Sequence, residues 1–487
     1  MKRKPSLLEQ TRTQLEKSTD VMFQPFKIGP FNCQLAYIRS IVDTKALIEG
    51  IVTPLIRAAA EPPQDSSWLE RIENRSFFAI EHKRSTDQAE IADAILTGHA
   101  VLFCDGLPSV LLFPLTQYEK RAVPETSNEV VVVGPQRAFI EDLDVNMSLL
   151  RQIIKHPDLT VNTRKVGRFT RSRINIIYIA GLCRQELVDN INQKLDQVKL
   201  DGILGMNYLA EYLEDSPFSP FPQYQYTERP DTVAASLLEG RLAIIQEGTP
   251  YVVILPVTFF SLVQSAEDYY QRFYAATFIR LVRLLFIAIS FLLPSLYVAI
   301  TTFHPEIIPT SLLITIASAR ENIPFPALLE ALAMELTFEG LREAGIRIPK
   351  PLGQTVSIIG GIVIGQAAVA AGIVSAPLVI VVSITGIASF IVPHFELSTA
   401  FRLLRFPVLI LGGTLGILGI IVSTYLVYLY LVHLRSFGVP YFQPLAPFIW
   451  KDIKDTFVRV PIFLMKERPS SYGSPDRRRQ PDKKEPG

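Results

Sequence analysis

Three carboxylates recur at four-residue steps in "PFPALLEALAMELTFEGLREAGIRIPKP" (Pro324–Pro351): Glu335, Glu339 and Glu343. On a helix turning 100° per residue they share one stripe, about 100° wide, with Arg342. Met334, Phe338, Leu341 and Ala344 point elsewhere, and Glu330 lies off the stripe. Carboxylates on a helix flanked by apolar segments would draw cations to a pore mouth, as carboxylate rings do in cation channels. The other reading is a wetted face lying at a membrane interface. A second pattern follows in "GQTVSIIGGIVIGQAAVAAGIVSAPLVIVVSITGIASFIVP" (Gly353–Pro393), where Gly361 and Gly365 form a GxxxG spacing beside Gly360 and Gln366. In lipid, helices associate through small residues that let backbones approach. The pattern therefore reads as helix packing within the chain, or as a subunit interface or conduit lining with Gln366 facing protein or water. Valine at Gly361 or Gly365 is expected to disrupt assembly, and valine at Gly416 to be milder.

Catalytic patterns are missing. The sequence holds no P-loop, GxGxxG, HExxH or GxSxG. Its six histidines, His82, His99, His156, His304, His394 and His433, have no metal-ligand spacing. The acidic "IEDLD" (Ile140–Asp144) reads as a helix cap rather than a metal site. Cys33, Cys104 and Cys183 stand far apart without a CxxC, which reads as three reduced core residues. No enzyme, cofactor or metal is expected, and the formal net charge of +1 gives no footprint for nucleic acid.

The elements that position these residues come in two compositions. Mean hydropathy is +0.26 although 20% of the 487 residues are charged. Up to about Arg283 the chain is mixed and charged; from Leu284 to about Val432 it is mostly apolar. A span needs about 20 apolar residues, which predicts a transmembrane domain over 281–435 with four spans, 284–303, 354–372, 375–392 and 406–432. Re-entrant or amphipathic helices are expected over 307–346, and five or six crossings remain open. Arg272, Arg280 and Arg283 precede the first span, which puts the N-terminal domain in the cytoplasm. An even count brings the tail, 436–487, to the same side, with Arg402 and Arg405 outside. The N-terminus has charges but no apolar signal region, and the tail reads as disordered from about 466.

The charged part, 1–270, contains an internal repeat. "ILTGHAVLFCDGLPSVLLFPL" (Ile95–Leu115) aligns without gaps on "LLEGRLAIIQEGTPYVVILPV" (Leu237–Val257), matching Gly98 with Gly240 and Gly106 with Gly248. Each copy reads as helix end, capping glycine, strand, acidic-Gly turn and second strand. The expectation is an α/β (α+β) domain of two related β-hairpin subdomains, about 28–160 and 165–265, followed by a polytopic α-helical membrane domain. Between the hairpins, Glu129–Pro157 reads as strand, turn and helix.

The chain resembles the A subunits of GerA-type spore germinant receptors. The resemblance is carried by "GPQRAFIEDLDVNMSLLRQ" (Gly134–Gln152), "SPFSPFPQYQYTERPD" (Ser216–Asp231), the long run Thr310–Ser375 and "SFGVPYFQP" (Ser436–Pro444). It implies a multi-pass protein of the spore inner membrane with both termini cytoplasmic. The implied partners are a polytopic, nutrient-binding B subunit, a C-subunit lipoprotein, further copies of itself and membrane lipid. The implied activity is a nutrient-gated cation channel that triggers germination. A secondary transporter, or an accessory membrane protein of dipicolinate or ion release, is the alternative; inverted repeats in the apolar half would mark a transporter, but the repeat lies in the charged half.

Overall fold

The computed structural model describes residues 6–28, 31–60, 78, 80–117, 126, 129, 131–347 and 363–480. The chain divides into two compact units: Met1–Asp215 with Tyr224–Pro256 and Ile462–Gly487, and Ser216–Gln223 with Val257–Pro461.

The first unit holds two five-stranded antiparallel sheets of identical strand order. Strands β1 (Val21–Ile28), β2 (Phe31–Ile38), β3 (Lys83–Ser85), β4 (His99–Cys104) and β5 (Val110–Pro114) lie in the order β1-β2-β4-β5-β3. Strands β6 (Leu159–Val166), β7 (Ser172–Ile179), β8 (Gln225–Thr227), β9 (Leu242–Gln246) and β10 (Val252–Leu255) repeat it as β6-β7-β9-β10-β8. Its helices include α1 (Gln88–Leu96), α2 (Leu143–Ile153), α3 (Gln185–Gln197), α4 (Met206–Leu213) and α5 (Pro230–Leu238). In each sheet a hairpin of long strands comes first, then helical segments and a short edge strand. A nine-residue helix (α1 or α5) then leads into the second hairpin.

The central strands β2, β4 and β5 are apolar on both faces because both faces are covered. Leu35, Leu102, Leu111 and Phe113 join one core of the first sheet; Ala36, Val101, Phe103 and Leu112 join the other with Ile91 and Ile95 of α1. The repeated glycines have a backbone reason. Gly98 and Gly240 end their helices at φ 94° and 89°, and Gly106 and Gly248 turn the hairpins at φ 91° and 87°, a region costly for any residue with a Cβ. At Gly240 a Cβ would lie 2.7 Å from the Leu182 carbonyl oxygen.

The duplication therefore exceeds the 21 aligned residues, and its strands run 21–114 and 159–255. The expected subdomain boundaries cut β1 and β6, because only the second hairpin of each copy kept enough sequence to align. Residues 131–141 form a loop rather than the expected strand; α2 then follows, its N-terminus capped by Asp142 through the N–H groups of Asp144 and Val145 (2.8 and 3.1 Å).

Two further expectations are corrected. Cys33 and Cys104, 71 residues apart in sequence, sit directly opposite each other on β2 and β4 and form a disulfide; Cys183 is a free, buried thiol. Spacing could not reveal a cross-strand neighbour. The segment after 466 is also ordered through residue 480. Arg468 Nε donates to the Leu238 carbonyl at the end of α5 (2.8 Å), Arg479 pairs with Glu239 (2.6 Å), and the buried Tyr472 ring lies 5.1 Å below the Arg241 guanidinium. Arginines that composition counts as solvated here satisfy orphan carbonyls and a carboxylate at a helix C-terminus.

The second unit is helical: α6 (Phe273–Phe303), α7 (Thr310–Arg320), α8 (Ala327–Arg347), α9 (Ala376–Phe390), α10 (Phe395–Leu415) and α11 (Ile417–His433). Among the described residues α6 alone is long and apolar enough to cross a membrane; α9 and α11 are shorter apolar helices. The expected span 284–303 is the second part of α6, which starts at Phe273. The span 406–432 is not one helix. It breaks at Gly416 (φ 63°), where a Cβ would lie 3.1 Å from His304 Nε2 and 3.2 Å from Phe303. Valine there is a severe change, not a mild one. The span 375–392 corresponds to α9, and of 354–372 the part 363–370 is helical. Gly360 and Gly361 lie outside the described residues. The stretch 307–346 becomes α7, with no buried residue, and α8.

Candidate functional site

Helix α8 carries the acidic stripe, and its neighbours decide what the stripe can do. It runs antiparallel to α10: the Cβ position of Gly413 lies 2.6 Å from Leu328, Glu335 meets Arg405, and Glu339 meets Arg402. It runs parallel to α9, where the Cβ position of Gly386 lies 3.7 Å from Phe338 and Arg342 reaches Ser389. Small or apolar residues at these contacts bring the helices close enough for the charges to pair.

Glu335 is 1% exposed and accepts from Arg405 Nη1 at 2.6 Å; Arg405 itself is 3% exposed. Glu339 accepts from Arg402 Nε at 3.0 Å, with both side chains mostly buried. Arg342 donates to Ser389 Oγ, and its guanidinium lies 4.4 Å from the Phe390 ring centre. Glu343 is exposed and pairs with Arg347 at 2.6 Å. Glu330, off the stripe, is 2% exposed and accepts from Arg320 Nη2 (3.1 Å) and the Ser375 N–H (3.0 Å).

At Glu335 and Glu339 the stripe is an interlock of enclosed ion pairs, and at Glu343 it is an exposed surface pair. Gly365 is buried with a Cβ position 3.0 Å from Val379 Cγ1, while Gln366 is exposed. Sequence reasoning missed Arg402, Arg405, Arg320 and Glu330. The available signal was two arginines three apart in the otherwise apolar "FRLLRFPVLIL", since buried charges need partners.

A second buried cluster surrounds the start of α6. Asp268, 3% exposed, accepts from Arg280 Nε (2.9 Å) and from Arg283 Nη1 and Nη2 (3.0 and 3.1 Å). Arg280 Nη1 also donates to the Asp455 carbonyl and carboxylate (2.6 and 2.9 Å), and Tyr269 Oη donates to Asp455 at 2.8 Å. Arg280 and Arg283, counted from sequence as charges marking a membrane side, are paired inside the protein.

In the first unit Arg151, 1% exposed, forks onto Asp20 (2.9 and 3.0 Å) and donates to Ser18 Oγ (2.9 Å). In "IEDLD", Asp142 caps α2, Asp144 lies 3.8 Å from Arg173, and the Glu141 carbonyl accepts from the Gly248 N–H at 2.9 Å. Arg173 also forks onto Glu247 (2.7 and 2.9 Å), which holds the Glu247 carboxyl below its ordinary range. Burial pushes the Cys183 thiol up to about 12, so it stays protonated and inert. Among the described residues no group of three or more His, Cys, Asp or Glu side chains could hold a metal ion.

Comparison with known proteins gives one consistent result. Residues 9–471 match the family described as Bacillus/Clostridium GerA spore germination protein. The chain is 42% identical over 467 residues to the uncharacterized membrane protein YfkQ of Bacillus subtilis (96% of this chain, 90% of that one). It is 41% identical over 482 residues to spore germination protein KA of the same organism (98% and 88%) and 41% identical over 440 residues to its spore germination protein A1 (90% and 89%). Among solved structures, the N-terminal domain of the A subunit of the Bacillus megaterium germinant receptor GerK3 is 29% identical. It covers 52% of this chain and 94% of its own, at a TM-score of 0.40.

Proposed function

Because the chain belongs to the GerA family of spore germination proteins, we propose that it is the A subunit of a nutrient-germinant receptor and forms, with further copies of itself, a nutrient-gated cation channel. The carrying observation is the family match from 9 to 471, which takes in both the duplicated α/β unit and the apolar helical unit. In this reading the helical unit crosses the spore inner membrane several times, with both termini cytoplasmic. A polytopic B subunit binds the nutrient, and a lipoprotein C subunit completes the complex.

The paired charges then have a gating role. Glu335–Arg405 and Glu339–Arg402 hold α8 to α10 in the resting arrangement, since opposite charges in a low-dielectric bundle fix one register strongly. Glu343, the exposed member of the stripe, is the carboxylate that attracts cations; Gly365 packs against Val379 within the chain, and the exposed Gln366 beside it is available to other copies. The test is reconstitution of the chain with its receptor partners in liposomes, followed by cation efflux on nutrient addition. Flux that requires this chain and nutrient supports the proposal. Nutrient binding without flux refutes the channel.

A further inference from the structure

The loop Ser216–Gln223, "SPFSPFPQ", belongs to the helical unit although the residues on either side of it belong to the first. Its shape is fixed from within. The Gln223 side chain, fully buried, accepts from the Ser216 N–H (3.0 Å) and donates to the Ser216 carbonyl (2.7 Å), closing the loop on itself. Ser436 Oγ donates to the Gln223 carbonyl at 2.6 Å, and the Phe221 ring packs edge-on against Phe401, 5.6 Å between centres. This rigid loop presents Phe218 with 99% of its surface exposed. Beneath Phe218 lies an open groove of about 670 Å³ between the loop and α10, walled by Pro220, Leu403, Leu404, Phe406 and Pro407.

We infer that this groove holds a phospholipid acyl chain and that Phe218 enters the membrane interface beside it. The inference rests on the membrane reading of the helical unit and adds a lipid contact that the reading does not supply. Three observations select the occupant. First, the groove is mostly apolar and offers few hydrogen-bond donors. Pro217, Pro220 and Pro407 carry no N–H, and the one hydroxyl, Ser219 Oγ, is already occupied, donating to the Phe221 carbonyl and accepting its N–H (3.1 Å each). A peptide laid here would find few donors for its own carbonyl groups, at a cost; an acyl chain has none to pair. Second, the groove wall continues along α10 into the outward apolar positions Leu403 and Ile410, 62% and 46% exposed, the surface that would face lipid. Third, the level is that of an aromatic belt. Phe221 lies 6.2 Å from Tyr430, near the end of α11, where Tyr425, Tyr428 and Tyr430 cluster, and such rings sit at membrane interfaces.

The test uses the full chain in phosphatidylcholine–phosphatidylglycerol vesicles with an environment-sensitive nitrobenzoxadiazole probe on Phe218→Cys, and separately on Ile410→Cys as the reference on α10. Labelling is selective without reduction because Cys33 and Cys104 are bonded and Cys183 is buried. The expected result is loss of fluorescence from both probes to lipid doxyl-labelled on the acyl chain, with no loss to aqueous iodide. Iodide quenching at 218 with doxyl quenching at 410 overturns the inference and leaves the membrane reading standing. A 218 probe shielded from both quenchers means that protein fills the groove, which also overturns it. Absence of doxyl quenching at 410 removes the membrane reading, and the inference with it.

Discussion

Replacing Glu335 by glutamine tests whether the acidic stripe is an interlock or a cation attractor. The wild-type pair is enclosed, at 1% and 3% exposure, with a 2.6 Å contact. Glutamine keeps the volume and one acceptor but removes the negative charge, leaving the Arg405 guanidinium buried without a counter-charge. Breaking one side of such a pair costs about 3–5 kcal/mol, and the retained acceptor places this change near about 3 kcal/mol. For a unit of roughly 200 residues that is a fall of about 6–12 °C in midpoint. Removing both charges, in Glu335→Gln with Arg405→Gln, relieves the uncompensated charge, so the double variant should return to within about 1 kcal/mol of wild type. Thermal unfolding of the detergent-solubilised chain reads all four proteins of the cycle. Additive losses in the double variant would refute the interlock. So would a Glu335→Gln chain of wild-type stability that conducts cations poorly, since that is the behaviour of a free carboxylate.

Other expectations can be checked on the same preparation. Glu129, facing Thr227, Glu228, Arg229 and Asp231, is pushed up to about 7, chiefly by burial. The proton it holds stabilises the fold fully below its unfolded value near 4.5, and that contribution is lost as pH rises through 7. Because the residue keeps some exposed surface, Glu129→Gln should gain only about 1–2 kcal/mol over wild type at pH 8 and nothing at pH 4; equal differences at both would refute the assignment. At Gly419 a Cβ would fall 2.0 Å from the Leu411 carbonyl oxygen, whereas at Gly365 it meets only the Val379 methyl at 3.0 Å. Gly419→Ala should therefore cost about 2–3 kcal/mol in thermal unfolding and Gly365→Ala less than about 1, and the reverse order would contradict the packing. Thiol titration of the denatured, unreduced chain should find one cysteine, and three after reduction; three without reduction would mean that Cys33 and Cys104 are unbonded.

What the sequence made legible was local, and what it hid was pairing between distant segments. The hairpins could be read because each needs glycine at a helix end and at a turn, and both needs recur 142 positions later, from Gly98 to Gly240 and from Gly106 to Gly248. The full five-stranded duplication could not, because β2 and β7 are specified by burial on both faces, which many apolar sequences satisfy, and the edge strands β1 and β6 are partly exposed and carry mixed sequence. The acidic stripe was legible as geometry, since Glu335, Glu339 and Glu343 do fall on one helix, but its chemistry was set elsewhere. Arg402 and Arg405 lie more than sixty residues away on α10, and helical periodicity within α8 contains no term for them. The same holds at the start of α6. Arg280 and Arg283 looked like charges facing a membrane surface until Asp268 and Asp455 were brought against them. Composition sums charges, whereas the fold neutralises them in specific pairs. An apolar segment that carries arginine at three-residue spacing is therefore better read as one side of an interlock whose other side has yet to be found. In this chain that rule, applied to Arg402 and Arg405, leads directly to the buried carboxylates of α8.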